Sequence, residues 1–378
     1  MKKSLLVLAL TVLLGTFIGS GMTMAEEGPV HVGILLPLTG TQAVMAEDLQ
    51  EGFLIAQEHI NAAGGVLGRR LELIIEDTET RPSPGMDAAR KLVEVDEVPI
   101  ISGGFSSGVM LPIAEYCQER GIVVVAQPPT SPLFRDVGDY IFLINVLDNY
   151  KGKVIAEFAV EDSGKKRFAL MFMNNAFGQA LKEETVKNLE RLGAEVVTSV
   201  DYELNKVDYK AELTRLYAND PEAIICTFYA NEGLIAAKQA YEMGLLNVDE
   251  VPWYVPEVPS SFAKALQEIP QVVEGIKGLA PLAPEELFME AFRAKKGRDP
   301  ITAYAAMNYD ALIMIAMAIN FAHSTDPAAV RDALPKIDQW YRGQSTGGDK
   351  RFDEDGMQGF GRYMFVILHD GKELLYEG

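Results

Sequence analysis

The sequence has few of the residues that metal and redox chemistry need. Its 378 residues include four histidines and two cysteines, and neither an H-E-x-x-H nor a C-x-x-C spacing occurs. Metal sites commonly draw their ligands from such spacings. The sequence also lacks a phosphate-binding loop with its lysine, and no G-x-G-x-x-G follows the first strand-like apolar run. We therefore expect no metal and no cofactor.

Positive charge is also scarce. Lysine and arginine number 34 against 54 aspartates and glutamates, which gives a net charge of −20 and a pI near 4.7. Nucleic acids and anionic membranes attract basic surfaces, so we expect no nucleic-acid partner. The two cysteines, Cys117 and Cys226, fall in a predicted helix and a predicted strand of different domains. This placement favours two separate buried thiols over a disulfide.

A long apolar run at the N-terminus has the pattern of a secretory signal peptide. Lys2 and Lys3 precede apolar residues 5–18, and Thr23-Met24-Ala25 ends on a small residue. We therefore expect residues 1–25 to be a signal peptide that is cleaved after Ala25. No later stretch is apolar for long enough without a charge to span a membrane. The mature chain is then expected to have 353 residues (378 − 25), a net charge of −22 (−20 − 2) and no direct membrane insertion.

Short apolar runs alternate with helical patterns along most of the chain. The alternation β-α-β-α-β-α-β runs from Val30 to Ala126 and starts again after Ile144, which predicts an α/β fold with two lobes of parallel sheet. Three helical patterns between 284 and 334 and a late hairpin break the rhythm. We therefore expect the chain to return to the first lobe and to finish on the second. The predicted division is residues 26–147 and 282–356 for lobe 1, and residues 148–281 and 357–378 for lobe 2, with hinges near 145–148, 279–281 and 355–358.

Hydroxyl residues follow two predicted strands of lobe 1. The turn Gly103–Gly108 joins a strand to a helix, where unpaired backbone N–H groups attract anions. It also matches the nucleophile-elbow pattern G-x-S-x-G, with Ser106 as the candidate nucleophile and His323 or His369 as the downstream base. Helix capping is a third interpretation of Ser106 and Ser107.

Capture of a small zwitterion is the alternative to catalysis. Such a site needs donors for a carboxylate at one end, an anion at the other, and apolar walls that exclude water. Ser107 and Thr130 lie on turns of lobe 1 and can supply hydroxyls. The equivalent turns of lobe 2 carry Phe177, Tyr229 and Glu257. Glu257 suits an ammonium group, and an ordinary surface carboxylate is the other interpretation of this residue.

Several short motifs follow one another along the mature chain, namely Ile60–Arg69 with Glu76-Asp77 after it, Gly103–Ser107, Pro128–Thr130, Tyr229–Gly233, Pro256-Glu257, Asn308–Ala311 and Phe352–Gly356. In this order they resemble the periplasmic binding proteins of the leucine/isoleucine/valine-binding type. Members of that family are the substrate-capturing components of ABC importers and have two Rossmann-like lobes joined by three crossover strands. The resemblance therefore implies a type I substrate-binding protein of the periplasm that closes on a ligand, docks on a membrane permease and is not an enzyme.

The resemblance also implies roles for individual residues. Ser107 and Thr130 would hold the α-carboxylate and the ammonium of an amino acid, with the carbonyl of Pro128 as a further acceptor. Glu257 would pair with the ammonium, and aromatic side chains of lobe 2 would close the cleft. The predicted ligand contacts are Met45, Phe105, Ser106, Ser107, Pro128, Thr130, Phe177, Tyr229 and Glu257.

Two departures from the family pattern bear on the ligand. Pro128-Pro129 stands where amino-acid binders usually have small residues, which removes backbone N–H donors and stiffens the loop. Met45 stands where an aromatic wall residue often occurs. A branched-chain or other aliphatic amino acid is the first expectation, and aromatic or other organic acids or amides are the alternative. An esterase-like hydrolase that uses Ser106 is the alternative from another class.

The signal-peptide prediction can be tested by expressing the protein with its own N-terminus. We expect it in the periplasm with Glu26 as its first residue. Ala25→Arg puts a bulky charge where cleavage requires a small side chain, so this variant should stay as the heavier precursor. Intact-mass spectrometry distinguishes the two forms, and Glu27→Gln is the control that should be processed normally. An Ala25→Arg protein with the mass of the mature parent would contradict the assignment.

Overall fold

The N-terminal part of the chain builds the first sheet. The computed structural model describes residues 28–339, 341–345, 351–358 and 363–377, so the predicted signal peptide lies outside the described residues. Strands and helices alternate as the sequence predicts, in the order β1 Val30–Leu36, α1 Ala43–Ala62, β2 Leu71–Asp77, α2 Pro82–Arg90, β3 Ile100–Gly103, α3 Ser107–Arg120, β4 Val123–Ala126 and β5 Ile141–Val146. Strands β3, β4 and β5 are buried along their whole length, which explains their almost wholly apolar sequences.

The middle of the chain repeats this alternation in a second sheet. Its elements are α4 Asp148–Ser163, β6 Arg167–Met173, α5 Ala176–Arg191, β7 Glu195–Tyr202, α6 Lys210–Leu216, β8 Ala223–Cys226, α7 Ala230–Glu242, β9 Trp253–Val255, α8 Val258–Glu268 and β10 Lys277–Pro281. The sequence pattern does not predict β9, α8 or β10. Strand β9 has only three residues, which are too few to show a hydrophobic period. Helix α8 has Pro259 and two serines near its start, a composition that is typical of a loop.

The C-terminal part returns to the first lobe and then crosses back. Its elements are α9 Glu286–Lys296, α10 Tyr304–Ala322, α11 Pro327–Ile337, β11 Met357–Gln358, β12 Tyr363–His369 and β13 Lys372–Leu375. β11 pairs with β5 in the first sheet, whereas β12 pairs with β10 in the second. The chain thus passes between the sheets after β5, after β10 and between β11 and β12.

The strand order identifies the part of each sheet where a ligand can bind. The first sheet has the order β11-β5-β4-β3-β1-β2 and is parallel throughout, and the second has the order β13-β12-β10-β9-β8-β6-β7, with β12 and β13 antiparallel. In the first sheet the chain leaves β1 for β2 on one side and later adds β3 on the other. The same reversal occurs around β6 in the second sheet. Open α/β sheets bind ligands at such switch points, beyond the carboxyl ends of the strands.

The predicted fold class, two Rossmann-like lobes of mostly parallel sheet, is confirmed. The division of the chain at residues 147, 281 and 356 stays a prediction. Residues 357–358, which form β11, pair with β5 in the first sheet and lie just beyond the last of these boundaries.

Helix α10 is apolar enough to span a membrane but belongs to the core. It has 19 residues with a mean hydropathy of 1.4 in its most apolar window, and 72% of that window is buried. Asp310, near its middle, accepts hydrogen bonds from the hydroxyls of Tyr341 and Ser345, each at 2.6 Å. We therefore interpret α10 as a core helix of the first lobe.

Helices α1 and α10 approach closely at Gly52. A Cβ added there would lie 2.0 Å from the carbonyl oxygen of Ala305, so one backbone would have to shift. Overpacking of this kind costs about 1–3 kcal/mol, against about 1 kcal/mol that alanine gains over glycine in a helix. Because the clash is with a backbone atom, the upper end of that range applies, and Gly52→Ala should lower the free energy of unfolding by about 2 kcal/mol (3 − 1) in urea denaturation. Gly28→Ala is the control, since nothing lies within 4 Å of a Cβ there, and equal stability of all three proteins would contradict this account of the packing.

Candidate functional site

The turns after β3 and β4 carry the hydroxyl groups of the first lobe. Helix α3 begins at Ser107, directly after the turn that follows β3. The Ser107 hydroxyl accepts hydrogen bonds from the backbone N–H groups of Thr130 at 3.1 Å and Ser131 at 3.3 Å. One side chain thus ties the two turns together, and its own hydroxyl hydrogen can be donated to a ligand.

Aromatic rings from both lobes meet in the cleft. Tyr229, at the N-cap of α7, donates its hydroxyl hydrogen to the Ser106 hydroxyl across the cleft at 2.7 Å. Phe177 stacks on Tyr229 with ring centroids 6.4 Å apart, and Phe105 of the first lobe meets the same ring edge-on at 6.3 Å. The sequence predicts Phe177 in a loop, but α5 begins one residue earlier because Asn175 caps it. The lobes are therefore in direct contact through these side chains.

A small cavity lies between the lobes. Its volume is about 20 Å³, which is room for a water molecule but far below the roughly 300–1,000 Å³ of typical ligand pockets. An amino acid can therefore enter only if the lobes move apart. Seven predicted contacts line the cavity together with Ser260 of α8, which the sequence does not single out; the full set is Phe105, Ser107, Pro128, Thr130, Phe177, Tyr229, Glu257 and Ser260.

Two predicted contacts lie outside the lining of this cavity. Met45, near the start of α1, is fully buried in the hydrophobic core of the protein. Ser106 is buried beside the cavity, where its hydroxyl is the acceptor for Tyr229. Pro128 lines the cavity, and its carbonyl already accepts a hydrogen bond from the Asn145 side-chain amide at 3.0 Å.

A hydrolase that used Ser106 would need a base beside its hydroxyl. Within the described residues that neighbour is Tyr229, whose phenol stays protonated because burial raises its pKa. His369 bonds to Glu274 at the surface, and His323 is exposed at the end of α10. The described residues therefore do not form the serine–histidine pair that a nucleophile elbow requires.

A buried cluster of three charges adjoins the cavity on the side of the second lobe. Lys151 of α4 donates to the Glu257 carboxylate at 2.5 Å, and their side chains are 1% and 7% exposed. The Lys151 ammonium also lies 3.5 Å from the carboxylate of Asp148, which is 0% exposed. The Thr130 hydroxyl and the Lys151 ammonium are near enough to lower the pKa of Asp148, but neither carboxylate oxygen accepts a hydrogen bond of normal geometry in the described part of the chain. Glu257, the predicted partner of a ligand ammonium, is therefore paired with an ammonium of the protein.

Burial and charge act on this cluster in opposite directions. Burial raises the pKa of Asp148 to about 6, although Lys151 opposes the shift. Burial lowers the pKa of Lys151, but Glu257, Tyr363 and Asp148 outweigh it and the net pKa is raised. Lys151 therefore stays charged at neutral pH, while Asp148 titrates just below neutrality.

Asp148 and Lys151 are not among the predicted contacts. Residues 145–148 are predicted to be a hinge, and nothing in the sequence pattern singles out Lys151. One signal was available, because an aspartate and a lysine three residues later follow the fully buried strand β5 after a single leucine. That position is at the carboxyl edge of the sheet, where the other predicted contacts lie.

A larger cavity and a group of possible metal ligands lie outside the cleft. The cavity has a volume of about 570 Å³ and is lined by Arg135 and Arg331, among others. Both arginines are ion-paired within the protein, with Asp353 at 2.7 Å and with Asp139 at 3.1 Å. No predicted contact lines it, so we consider the cleft to be the candidate site.

The group of possible metal ligands consists of Glu274, His369 and Asp370, whose ligand atoms lie within 4.8 Å of one another. None of these residues is buried, and His369 bonds directly to Glu274. Such exposed acidic groups are common without an ion, and this geometry carries no metal assignment.

A family model of the periplasmic binding proteins matches residues 29–372 and so includes every cleft residue described above. The chain belongs to this family. Among its curated relatives, Leu/Ile/Val-binding protein homolog 1 of Brucella abortus (strain 2308) is 27% identical over 354 residues, which cover 91% of this chain and 92% of the relative. The leucine-, isoleucine-, valine-, threonine-, and alanine-binding protein of Pseudomonas aeruginosa is 27% identical over 334 residues, 86% of each chain.

Solved structures of periplasmic binding proteins have the same fold. A leucine-binding protein, LivK, from Thermotoga maritima has a TM-score of 0.83 at 23% identity, covering 92% of this chain and 97% of the other. A solute-binding protein from R. palustris in complex with benzoate has a TM-score of 0.79 at 17% identity, covering 92% and 95%. The predicted resemblance to the leucine/isoleucine/valine-binding type is thereby confirmed.

Asp148 should destabilise this periplasmic binding protein at neutral pH. Its pKa is about 6 in the folded protein against 3.8 for the ordinary group, so the folded state binds the proton more tightly than the unfolded chain does. Stability therefore falls as the pH rises from about 4 to about 6, and the shift corresponds to about 3 kcal/mol at pH 7. Asp148→Asn removes this cost and should raise the free energy of unfolding at pH 7.5 by about 3 kcal/mol, and by much less at pH 4.5.

Urea denaturation at the two pH values measures this difference. Asp249→Asn is the matched control, because Asp249 is exposed in a turn of the second lobe and its replacement should change little at either pH. A stabilisation by Asp148→Asn that is the same at both pH values would contradict the assignment.

Proposed function

We propose that the protein captures a small carboxylate-bearing solute between its lobes and delivers it to the permease of an ABC importer. The first choice of ligand is a branched-chain or other aliphatic amino acid. The observation that carries the proposal is the lining of the cleft, where Ser107 and Thr130 of one lobe share a cavity with Glu257 of the other. The names of the Brucella and Pseudomonas relatives support an amino acid. The benzoate complex keeps aromatic acids as the alternative.

The carboxylate of the ligand would bind at the start of α3. The first N–H groups of a helix have no partner within the helix, and the helix dipole favours an anion there. The Ser107 hydroxyl adds a donor at the same point. Thr130, held next to Ser107 by its backbone N–H, contributes a second hydroxyl.

The ammonium of the ligand would bind to Glu257, with the carbonyl of Pro128 as a second acceptor. Each hydrogen bond to a charged group is worth about 1.5–3 kcal/mol, and micromolar capture needs about 8 kcal/mol. A few such bonds and the burial of an apolar side chain against Phe105, Phe177 and Tyr229 reach that range.

Closure of the lobes would couple binding to delivery. A ligand shifts a two-state equilibrium only if it binds one state more tightly, and a ligand between Ser107 and Glu257 touches both lobes only when they are closed. The Tyr229–Ser106 hydrogen bond and the aromatic contacts hold the lobes together around a cavity of about 20 Å³, so the ligand-bound closed form would have to be wider than this arrangement. The bending would occur near residues 145–148, 279–281 and 355–358, and the closed face would dock on the permease.

The proposed role is binding and transport, and not catalysis. Ser106 has a buried phenol as its neighbour, which supports a function in closure over one as a nucleophile. The protein would work in the periplasm after removal of residues 1–25, whose pattern is that of a signal peptide.

A thermal-shift screen tests the proposed function. The panel pairs each of leucine, isoleucine, valine, alanine and phenylalanine with its amine-free carboxylate, and adds benzoate. We expect the largest rise in melting temperature with an aliphatic amino acid, and calorimetry then gives its affinity. Stabilisation by the amine-free acids alone would overturn the choice of an amino acid, and no stabilisation by any carboxylate would overturn the proposed function.

Glu257→Gln isolates the predicted ammonium contact. Loss of the charge should weaken binding of the best amino acid by about 10- to 100-fold in calorimetry. Glu268→Gln is the matched control, because Glu268 lies on the adjoining helix α8 and is exposed. An affinity of the Glu257→Gln variant equal to that of the control would remove Glu257 from the site.

A further inference from the structure

The charge cluster of the cleft has two carboxylates for one ammonium. Lys151 bonds to Glu257 at 2.5 Å, while Asp148 lies 3.5 Å from the same ammonium and accepts no hydrogen bond of normal geometry among the described residues, although the Thr130 hydroxyl is near enough to lower its pKa. All three side chains are buried. A buried charge without a full set of partners is costly, because the protein interior solvates it poorly. The cluster is therefore short of one positive charge.

We propose that the ligand enters this cluster by exchange, its ammonium replacing Lys151 on Glu257 while the Lys151 ammonium turns to Asp148. This inference rests on the proposed function, because it requires a ligand that carries an amine. It makes Asp148 a positioning residue that acts through Lys151 and touches no ligand atom.

The geometry makes the exchange a small movement. Asp148 and Lys151 lie three residues apart on α4, which puts them on the same face of the helix. The ammonium has to shorten a 3.5 Å separation to hydrogen-bond length, which rotation about the flexible lysine side chain can achieve. The ring of Phe177, whose centroid is 5.2 Å from the Lys151 ammonium, remains beside it as a further favourable neighbour.

The charge count favours the exchanged state. With an amino acid bound, two ammonium groups face two carboxylates in the cluster, and the ligand carboxylate is left to α3 and its hydroxyls. Without the exchange, two ammonium groups would compete for Glu257, and Asp148 would remain without a hydrogen-bonded ammonium. An amine-free acid cannot supply the missing positive charge and would add a negative one. The cluster therefore selects ligands that carry an amine.

The variant Asp148→Asn separates this role from a structural one. Lys151 then has no carboxylate to move to and competes with the ligand for Glu257, so the affinity for the best amino acid of the screen should fall about 10- to 100-fold. The affinity for its amine-free analogue should stay the same or rise. Because the same substitution is expected to stabilise the fold at pH 7.5, stability and affinity should change in opposite directions.

A second variant tests whether the effect passes through Lys151. Adding Lys151→Met to Asp148→Asn removes the competing ammonium, so amino-acid affinity should return to within a few-fold of the parent. Lys153→Met, an exposed lysine on the same helix, is the control that should not restore it. Calorimetry with the best amino acid and its amine-free analogue is run on all four proteins, and circular dichroism checks that each is folded.

The outcomes are distinguishable. Unchanged amino-acid affinity in Asp148→Asn, equal losses for both ligands, or failure of Lys151→Met to restore binding would each overturn the exchange. A parent protein that binds only amine-free acids would overturn the exchange and leave capture of a carboxylate intact. A parent protein that binds neither class would overturn the proposed function, and the exchange with it.

Discussion

Parallel strands deliver their chain to one edge of a sheet, and the cleft depends on two such edges facing one another. The turns after β3 and β4 bring Ser107, Pro128 and Thr130 from one side. The turns after β6, β8 and β9 bring Phe177, Tyr229 and Glu257 from the other. No side chain in this set is close to a partner across the cleft in sequence, so the sheets alone decide that they meet. A ligand that binds there can contact both sets of residues only when the two lobes are close together.

The same constraint explains how much of the site is visible in the sequence. A hydroxyl, aromatic or acidic residue directly after a buried apolar run stands at the carboxyl edge whatever the details of packing, and seven of the nine predicted contacts line the cavity. Met45 is different, because it lies within α1. A residue in a helix points to the cleft or to the core according to the face it occupies, and Met45 lies on the face that packs into the core. The strand β9 and the helix α8 are missed because their local patterns are too short or too rich in loop residues, and the second lobe forms them through tertiary pairing.

The pairing of Lys151 with Glu257 could not be predicted, since the two residues are 106 positions apart and meet only through the packing of α4 against the edge of β9. This pairing changes the interpretation of Glu257. Its carboxylate already binds the Lys151 ammonium, so a ligand has to compete with Lys151 for it. Because desolvation offsets most of the attraction within a buried ion pair, the Lys151–Glu257 pair adds little to the net stability of the fold. Its effect is on the charges that the cleft accepts.

The double hydrogen bond to Ser107 has a consequence for the entropy of binding. Two loops that moved independently would each have to be ordered when a ligand arrived, and that loss of freedom would weaken the affinity. The Ser107 hydroxyl fixes the turn after β4 to the turn after β3 through two backbone amides. The conformational entropy of the two turns is then lost when the protein folds. A ligand that binds there finds the contacts of the first lobe already ordered.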